Sequence, residues 1–241
     1  MVAGAAINEA SSALSALAWW RDAGFDTAID EAPRHWLGEA APMPATPQQI
    51  HAPAPQAMPA TLAAFADWLA AIPELPDGSL PGRRLAAEGD PASGVMILID
   101  MPEAADADAG RLLADESGRL LDRMLAAIGR DRASVYLAAL CAARPIGGQL
   151  GADALPGLGR IATHHVALAA PRRLLLMGQA VSRALLGIEL ARARGRLHSV
   201  NHDGVTVEAV TTFAPRFLLQ NPARKADAWR DLRLLIGGFE S

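Results

Sequence analysis

Cysteine is almost missing from this 241-residue chain, where Cys141 stands alone. A single thiol excludes an intramolecular disulfide framework and any cluster held by four cysteines. Lysine is equally scarce: of 22 basic residues only Lys225 is a lysine. No stretch reaches the roughly 18 consecutive apolar residues that a membrane span needs. The N-terminus lacks the charged region and long apolar run of a secretory signal. The expectation is a cytoplasmic protein with no membrane partner. A net charge of -4 excludes an overall basic coat for nucleic acid and leaves room only for a local basic patch.

What is present divides into three parts. Residues 1–38 form an aromatic helical segment in which Leu14, Leu17 and Trp20 share a face. Its tryptophans, Trp19, Trp20 and Trp36, are candidate anchors for a protein partner, because aromatic side chains concentrate at the centres of interfaces. Residues 39–60 hold six prolines and almost no charge, the composition of an extended, semi-rigid linker. Residues 61–241 carry the main domain. Thr61 can cap a short helix whose Leu62, Phe65, Leu69 and Ile72 recur at helical spacing, and residues 73–93 are expected to be loop.

Strand and helix patterns then alternate. Val95–Ile99, Ser134–Leu140, Arg173–Met177 and Val205–Val210 are short apolar strands. Ser117–Ile128, Leu158–Ala169, Ala180–Leu186 and Ala223–Leu235 are the intervening or closing helices. This rhythm predicts an α/β domain of three αβα layers around a central four-stranded parallel sheet. The sites of such sheets form in the loops after the strands' C-terminal ends. One such loop follows the last strand and reads T-F-A-P-R-F-L-L-Q-N-P from Thr212 to Pro222. It joins polar Arg216, Gln220 and Asn221 to an apolar wedge of Phe217, Leu218 and Leu219.

Thr212, Phe213, Pro215, Leu218, Leu219, Asn221, Pro222, Lys225, Trp229, Asp231 and Leu232 fall in step with T-Y-H-P-x-x-L-L-R-N-P-x-x-K followed by W-x-D-L. That pattern belongs to the uracil-DNA glycosylase superfamily, and the chain most closely resembles its bacterial iron-sulfur branch. Pro102 and the run from Gly110 to Leu125 resemble the first motif, Arg144-Pro145 follow the second strand, and Arg194-Gly195-Arg196 fit a later R-G-R. The resemblance covers about residues 95–235 and implies the same fold.

It also shows where this chain departs. The family's base-stacking phenylalanine is Leu113, its base-reading asparagine is Ala139, and its histidine is Ala214. An arginine is replaced by Gln220, and the acidic residue of the first motif is shortened to Asp100. The third cluster cysteine falls at Ala143 and the fourth near Leu158, so the cluster is expected to be absent, and no metal site replaces it. The adjacent His164 and His165 point about 100° apart on a helix and are expected to face solvent.

Excising uracil requires a flipped base stacked on a ring and held by its polar edge, with help for the developing charge. The base-pocket positions Asp100, Pro102, Leu113, Ala139 and Ala214 supply one carboxylate. The expected function is therefore a glycosylase-fold protein of DNA replication or repair that has lost base excision and binds DNA or protein. An active divergent glycosylase using Asp100 as its catalytic group is the alternative. DNA contacts would come from Arg194, Arg196, Pro215, Arg216, Leu218, Gln220, Asn221 and Lys225, and a replication or repair protein from residues 1–38. The tryptophan segment plus tether is similar in layout to the psi subunit of the bacterial DNA polymerase III clamp loader.

Overall fold

A computed structural model of the protein describes Ser15, Ala18, Trp19, Asp22, and residues 58–202 and 204–237. The chain divides into two compact units, Met1–Ala54 and Pro55–Ser241. In the first, the four described residues are helical and Trp19 is 64% exposed; Trp20, Trp36 and the linker up to residue 57 lie outside the described residues.

The second unit opens with helix α1, Leu62–Ala71, started by the Thr61 hydroxyl, which accepts from the Ala64 amide. Strand β1, Glu88–Gly89, precedes β2, Val95–Ile99. A one-turn helix α2, Asp106–Ala109, and the longer α3, Glu116–Ala127, lead to β3, Tyr136–Ala139. Helix α4, Leu155–Ala169, crosses to β4, Arg173–Met177, which runs straight into α5, Gln179–Leu186. A short α6, Leu190–Ala193, precedes the hairpin of β5, Leu197–His202, and β6, Val205–Thr212. Helix α7, Pro215–Gln220, and α8, Lys225–Ile236, close the domain.

The sheet order is β1-β3-β2-β4-β6-β5. The four expected strands are its parallel centre, with Ile97 in register with Leu137 on one side and Leu175 on the other. Two antiparallel edge strands make the sheet larger than four: β1 beside β3 and β5 beside β6. Neither had a readable apolar pattern. β1 has only two residues, in what was expected to be loop, and β5 buries Val200 alone.

Alternation along β2 explains the layers. Val95, Ile97 and Ile99 face a core shared with Leu121 and Leu125 of α3 and Leu232 and Leu235 of α8. Met96 and Leu98 face the opposite core with Leu158, Ala162 and Val166 of α4 and Val181 of α5. Each fully buried side chain of this kind contributes about 1.5–3 kcal/mol.

The histidines correct the solvent-facing expectation. His165 is 6% exposed, its Nε2 lies 2.9 Å from the Tyr136 hydroxyl, and its ring packs on Phe65 of α1. His164 is half-buried, with Nε2 at 2.8 Å from the Pro59 carbonyl. Packing of α1 on α4 buries His165 and half-buries His164, which helix periodicity alone does not report. Burial, with the adjacent His164, holds His165 down at about 4 against an ordinary 6.5. A depressed histidine stabilises the fold fully above 6.5, and that contribution is lost as pH falls from 6.5 towards 4. Replacing His165 with Gln should flatten the pH dependence of the melting temperature in that window, measured against the wild-type protein at matched salt.

Candidate functional site

β3 lies on one side of β2 and β4 on the other, so the chain reverses direction across the sheet at β2. The crevice outside the C-terminal ends of β2 and β4 is where open parallel sheets bind ligands. Asp100 follows β2 and Gly178 follows β4. The Asp100 carboxylate reaches across and accepts the Val181 amide at 2.8 Å. The Ala180 and Gln179 amides also stabilise it as an anion. These are free donors of the first turn of α5, so Asp100 serves as a cap supplied from another strand.

Gly178 permits this contact. Its φ is 135°, and a Cβ there would stand 2.3 Å from the Asp100 carboxyl carbon. Burial outweighs the three amides and raises the Asp100 carboxyl to about 6 from 3.8.

Asp100 lines a cavity of about 330 Å³ together with Ile99, Met101, Glu103, Leu113, Arg144, Gly148, Ala214, Pro215, Arg216, Phe217 and Gln220. Three of the five expected pocket positions, Asp100, Leu113 and Ala214, therefore meet there. Pro102 and Ala139 do not line it. Pro102 is buried, and Ala139 packs against the core on the α3 side of the sheet.

Leu113 takes a left-handed φ of 51°, which a branched side chain seldom adopts. Its amide donates to Asp106 Oδ2 at 2.8 Å and its carbonyl accepts from Arg132 at 2.7 Å. Asp106 is fully buried and also receives the Glu103 and Ala114 amides. Arg132 continues to Asp122 at 2.6 Å. Gly118 leaves the room, since a Cβ there would meet the Leu113 carbonyl oxygen at 1.8 Å. This frame points an aliphatic side chain where the resembled family has an aromatic ring.

Glu103 is the residue that sequence reasoning passed over. Its carboxylate lies 3.7 Å from Arg144 and 3.6 Å from Arg216, with only 12% of its side chain exposed. Burial raises its carboxyl, Arg216 opposes that most, Asp115 adds to the rise, and Arg144 opposes it further. Arg144 also donates to the Pro102 carbonyl at 2.9 Å. The available signal was Glu103 itself, which stands where the resembled family's first motif, G-E-A-P-G, ends in glycine.

The loop after β6 is helical rather than irregular. Pro215 sits in the first turn of α7, where its missing N–H costs nothing, and Asn221 ends the helix with its side chain on the Phe217 carbonyl. The wedge is thereby divided. Phe217 and Leu219 are exposed, while Leu218 turns inward against Leu120 and Ala228. Gln220, Asn221, Lys225 and Arg216 are exposed, as is Arg196, which donates to the Arg192 carbonyl.

Arg194 is committed inward: its Nε is 2.7 Å from the buried Asp231 and its guanidinium lies 3.9 Å over the Phe213 ring. Phe213 in turn stacks on Phe217 at 4.8 Å. Arginine-to-acid and arginine-to-ring contacts of this kind orient the loop, a role the residue's charge did not disclose.

The positions expected for cluster ligands do not fit an iron-sulfur group. Ala143 and Leu158 are buried and offer no donor, and Cys141 is buried beside Asp77 with its thiol pushed up by burial. Among the described residues no helix is long and apolar enough to cross a membrane.

Residues 86–233 match the family model described as the uracil DNA glycosylase superfamily. Over 158 residues the chain is 26% identical to the type-4 uracil-DNA glycosylase of Pyrobaculum aerophilum, an alignment covering 63% of this chain and 81% of that protein.

Gly178→Ala should separate Asp100 from α5 and lower stability by about 2–4 kcal/mol, because a clash with the Asp100 carboxyl adds to a positive φ. Asp100→Asn should act differently. A raised carboxyl favours the fold below its unfolded value and loses that benefit as pH rises through about 6. Wild type should thus lose up to about 3 kcal/mol relative to Asp100→Asn between pH 4 and 6, read from denaturant titrations across that range.

Proposed function

The chain belongs to the uracil DNA glycosylase superfamily, and from that premise we propose that it has lost uracil excision and serves DNA repair or replication as a binding module. The observation that carries this reading is the commitment of Asp100. The only acid retained from the first motif spends its carboxylate on the N-terminal amides of α5. In the cavity wall leucine stands at position 113 where the resembled family has its stacking ring and alanine at 214 where it has its imidazole, and Ala139, in place of the family's amide, lies outside that wall. Removing one donor aimed at developing charge costs about 100- to 1,000-fold in rate, and here the ring and two polar groups are gone together. The same reading has the protein working without an iron-sulfur cluster, because alanine and leucine occupy the ligand positions.

DNA contact in this proposal comes from the exposed side chains of α7 and its C-terminal end, Arg216, Gln220 and Asn221, with Lys225 and Arg196 beside them. A protein partner, taken up through the tryptophans of residues 1–38 as in the clamp-loader psi subunit, completes the module. A second reading draws on one observation. Asp100 lines the cavity and its carboxyl is raised to about 6, the range of a general acid. It would make the protein an active, divergent DNA glycosylase.

The two readings part in a single-turnover assay with protein in excess over uracil-, hypoxanthine- and xanthine-containing oligonucleotides, single- and double-stranded. The expected result is no abasic product. Product that disappears in Asp100→Asn would establish the second reading instead. On the binding side, Glu103 neutralises Arg144 and Arg216, so Glu103→Gly should strengthen oligonucleotide binding. The salt dependence of the binding constant should steepen by about one to two ion equivalents, as freed arginines reach phosphates. An unchanged slope would remove both arginines from the interface.

A further inference from the structure

Away from the cavity at the strands' C-terminal ends, a second hollow of about 160 Å³ lies between α3 and α8. Its lining is almost wholly apolar, with Leu120 and Met124 from α3, Leu218 from α7, and Trp229 and Leu232 from α8. Trp229 is 40% exposed although its neighbours Ala228 and Leu232 are buried. An indole left half in water beside an apolar hollow is the composition of an interface centre.

Two cations border the hollow, Arg123 on α3 and Lys225 at the first position of α8. Both are exposed. Their neighbours are spoken for: Arg119 pairs with Glu116, Asp122 with Arg132, and Arg224 and Arg230 with Asp227. No acid lines the hollow, in a chain whose net charge is -4. The positive end of the α8 helix adds to the potential at Lys225.

We propose that this groove is a docking site for an acidic peptide segment of a partner protein, seating one bulky apolar side chain against Trp229 and Met124 and pairing its carboxylates with Arg123 and Lys225. Charge complementarity selects this occupant. A nucleic-acid backbone calls for a row of cations along its phosphates, whereas two cations flanking a single apolar hollow match a short peptide with one anchor and acids around it. The groove shares no residue with the Asp100 cavity, so it stands whether or not base excision is retained, and of the proposed DNA contacts it shares Lys225.

The chain's single lysine makes the test specific. A fluorescein-labelled peptide with one phenylalanine between runs of aspartate is titrated with full-length protein by anisotropy and then coupled with a carbodiimide. Saturable binding is expected, with the coupled peptide mapped by mass spectrometry to Lys225. Binding should fall about ten-fold with Arg123→Glu and Lys225→Glu combined, both exposed positions whose change leaves the core intact. It should also fall when alanine replaces the peptide's phenylalanine, and with Met124→Glu in the groove. A single-stranded oligothymidine runs as the comparison ligand. The proposal is overturned if the peptide fails to saturate, or binds the double variant as tightly as the wild type. It is equally overturned if the double substitution weakens the oligonucleotide alone, which would make the groove part of a DNA surface.

Discussion

The bond between the Asp100 carboxylate and the first turn of α5 holds the site end of this fold together. It ties the C-terminal end of β2 to the helix that starts after β4, across the crevice where the sheet reverses direction. An anion there compensates the free amides and dipole of α5. Gly178 brings the strand end close enough for the contact, and burial keeps the carboxyl easier to protonate than an ordinary aspartate. A group held this way organises loops well. Its Oδ1 already accepts the Val181 amide.

Around that bond the loops are rigidly built. Asp106 and Arg132 fix Leu113 in a left-handed conformation, and Arg194 fixes the β6–α7 junction through Asp231 and Phe213. Glu103 lines the cavity between two arginines. The frame of the superfamily pocket therefore persists with different occupants. Scaffolding groups remain charged and paired, while Leu113 and Ala214 bring aliphatic side chains to the cavity. Such a division is what the proposed change of task would leave in a fold that keeps its packing.

Much of this was legible in the chain. The apolar runs of β2, β4 and β6 and the helical stripes of α3, α4 and α8 identify the three layers, because burial on both faces of a parallel sheet leaves nearly continuous apolar strands. The motif around Thr212 to Leu232 identifies the superfamily. Less was legible at the edges and in the loops. β1 and β5 carry no apolar signature because edge strands bury little, and α7 begins at a proline that also reads as a break.

Composition, periodicity and motif spacing by themselves determined the fold class and the superfamily resemblance, since these depend on residue type along the chain. Tertiary structure alone decided what the remaining polar groups do. Asp100 caps α5, Arg194 turns inward, Glu103 silences two arginines, His165 is buried, and Leu218 leaves the wedge to line a groove. Each outcome rests on a contact between residues far apart in sequence, where burial and a specific partner set the role that residue type leaves open.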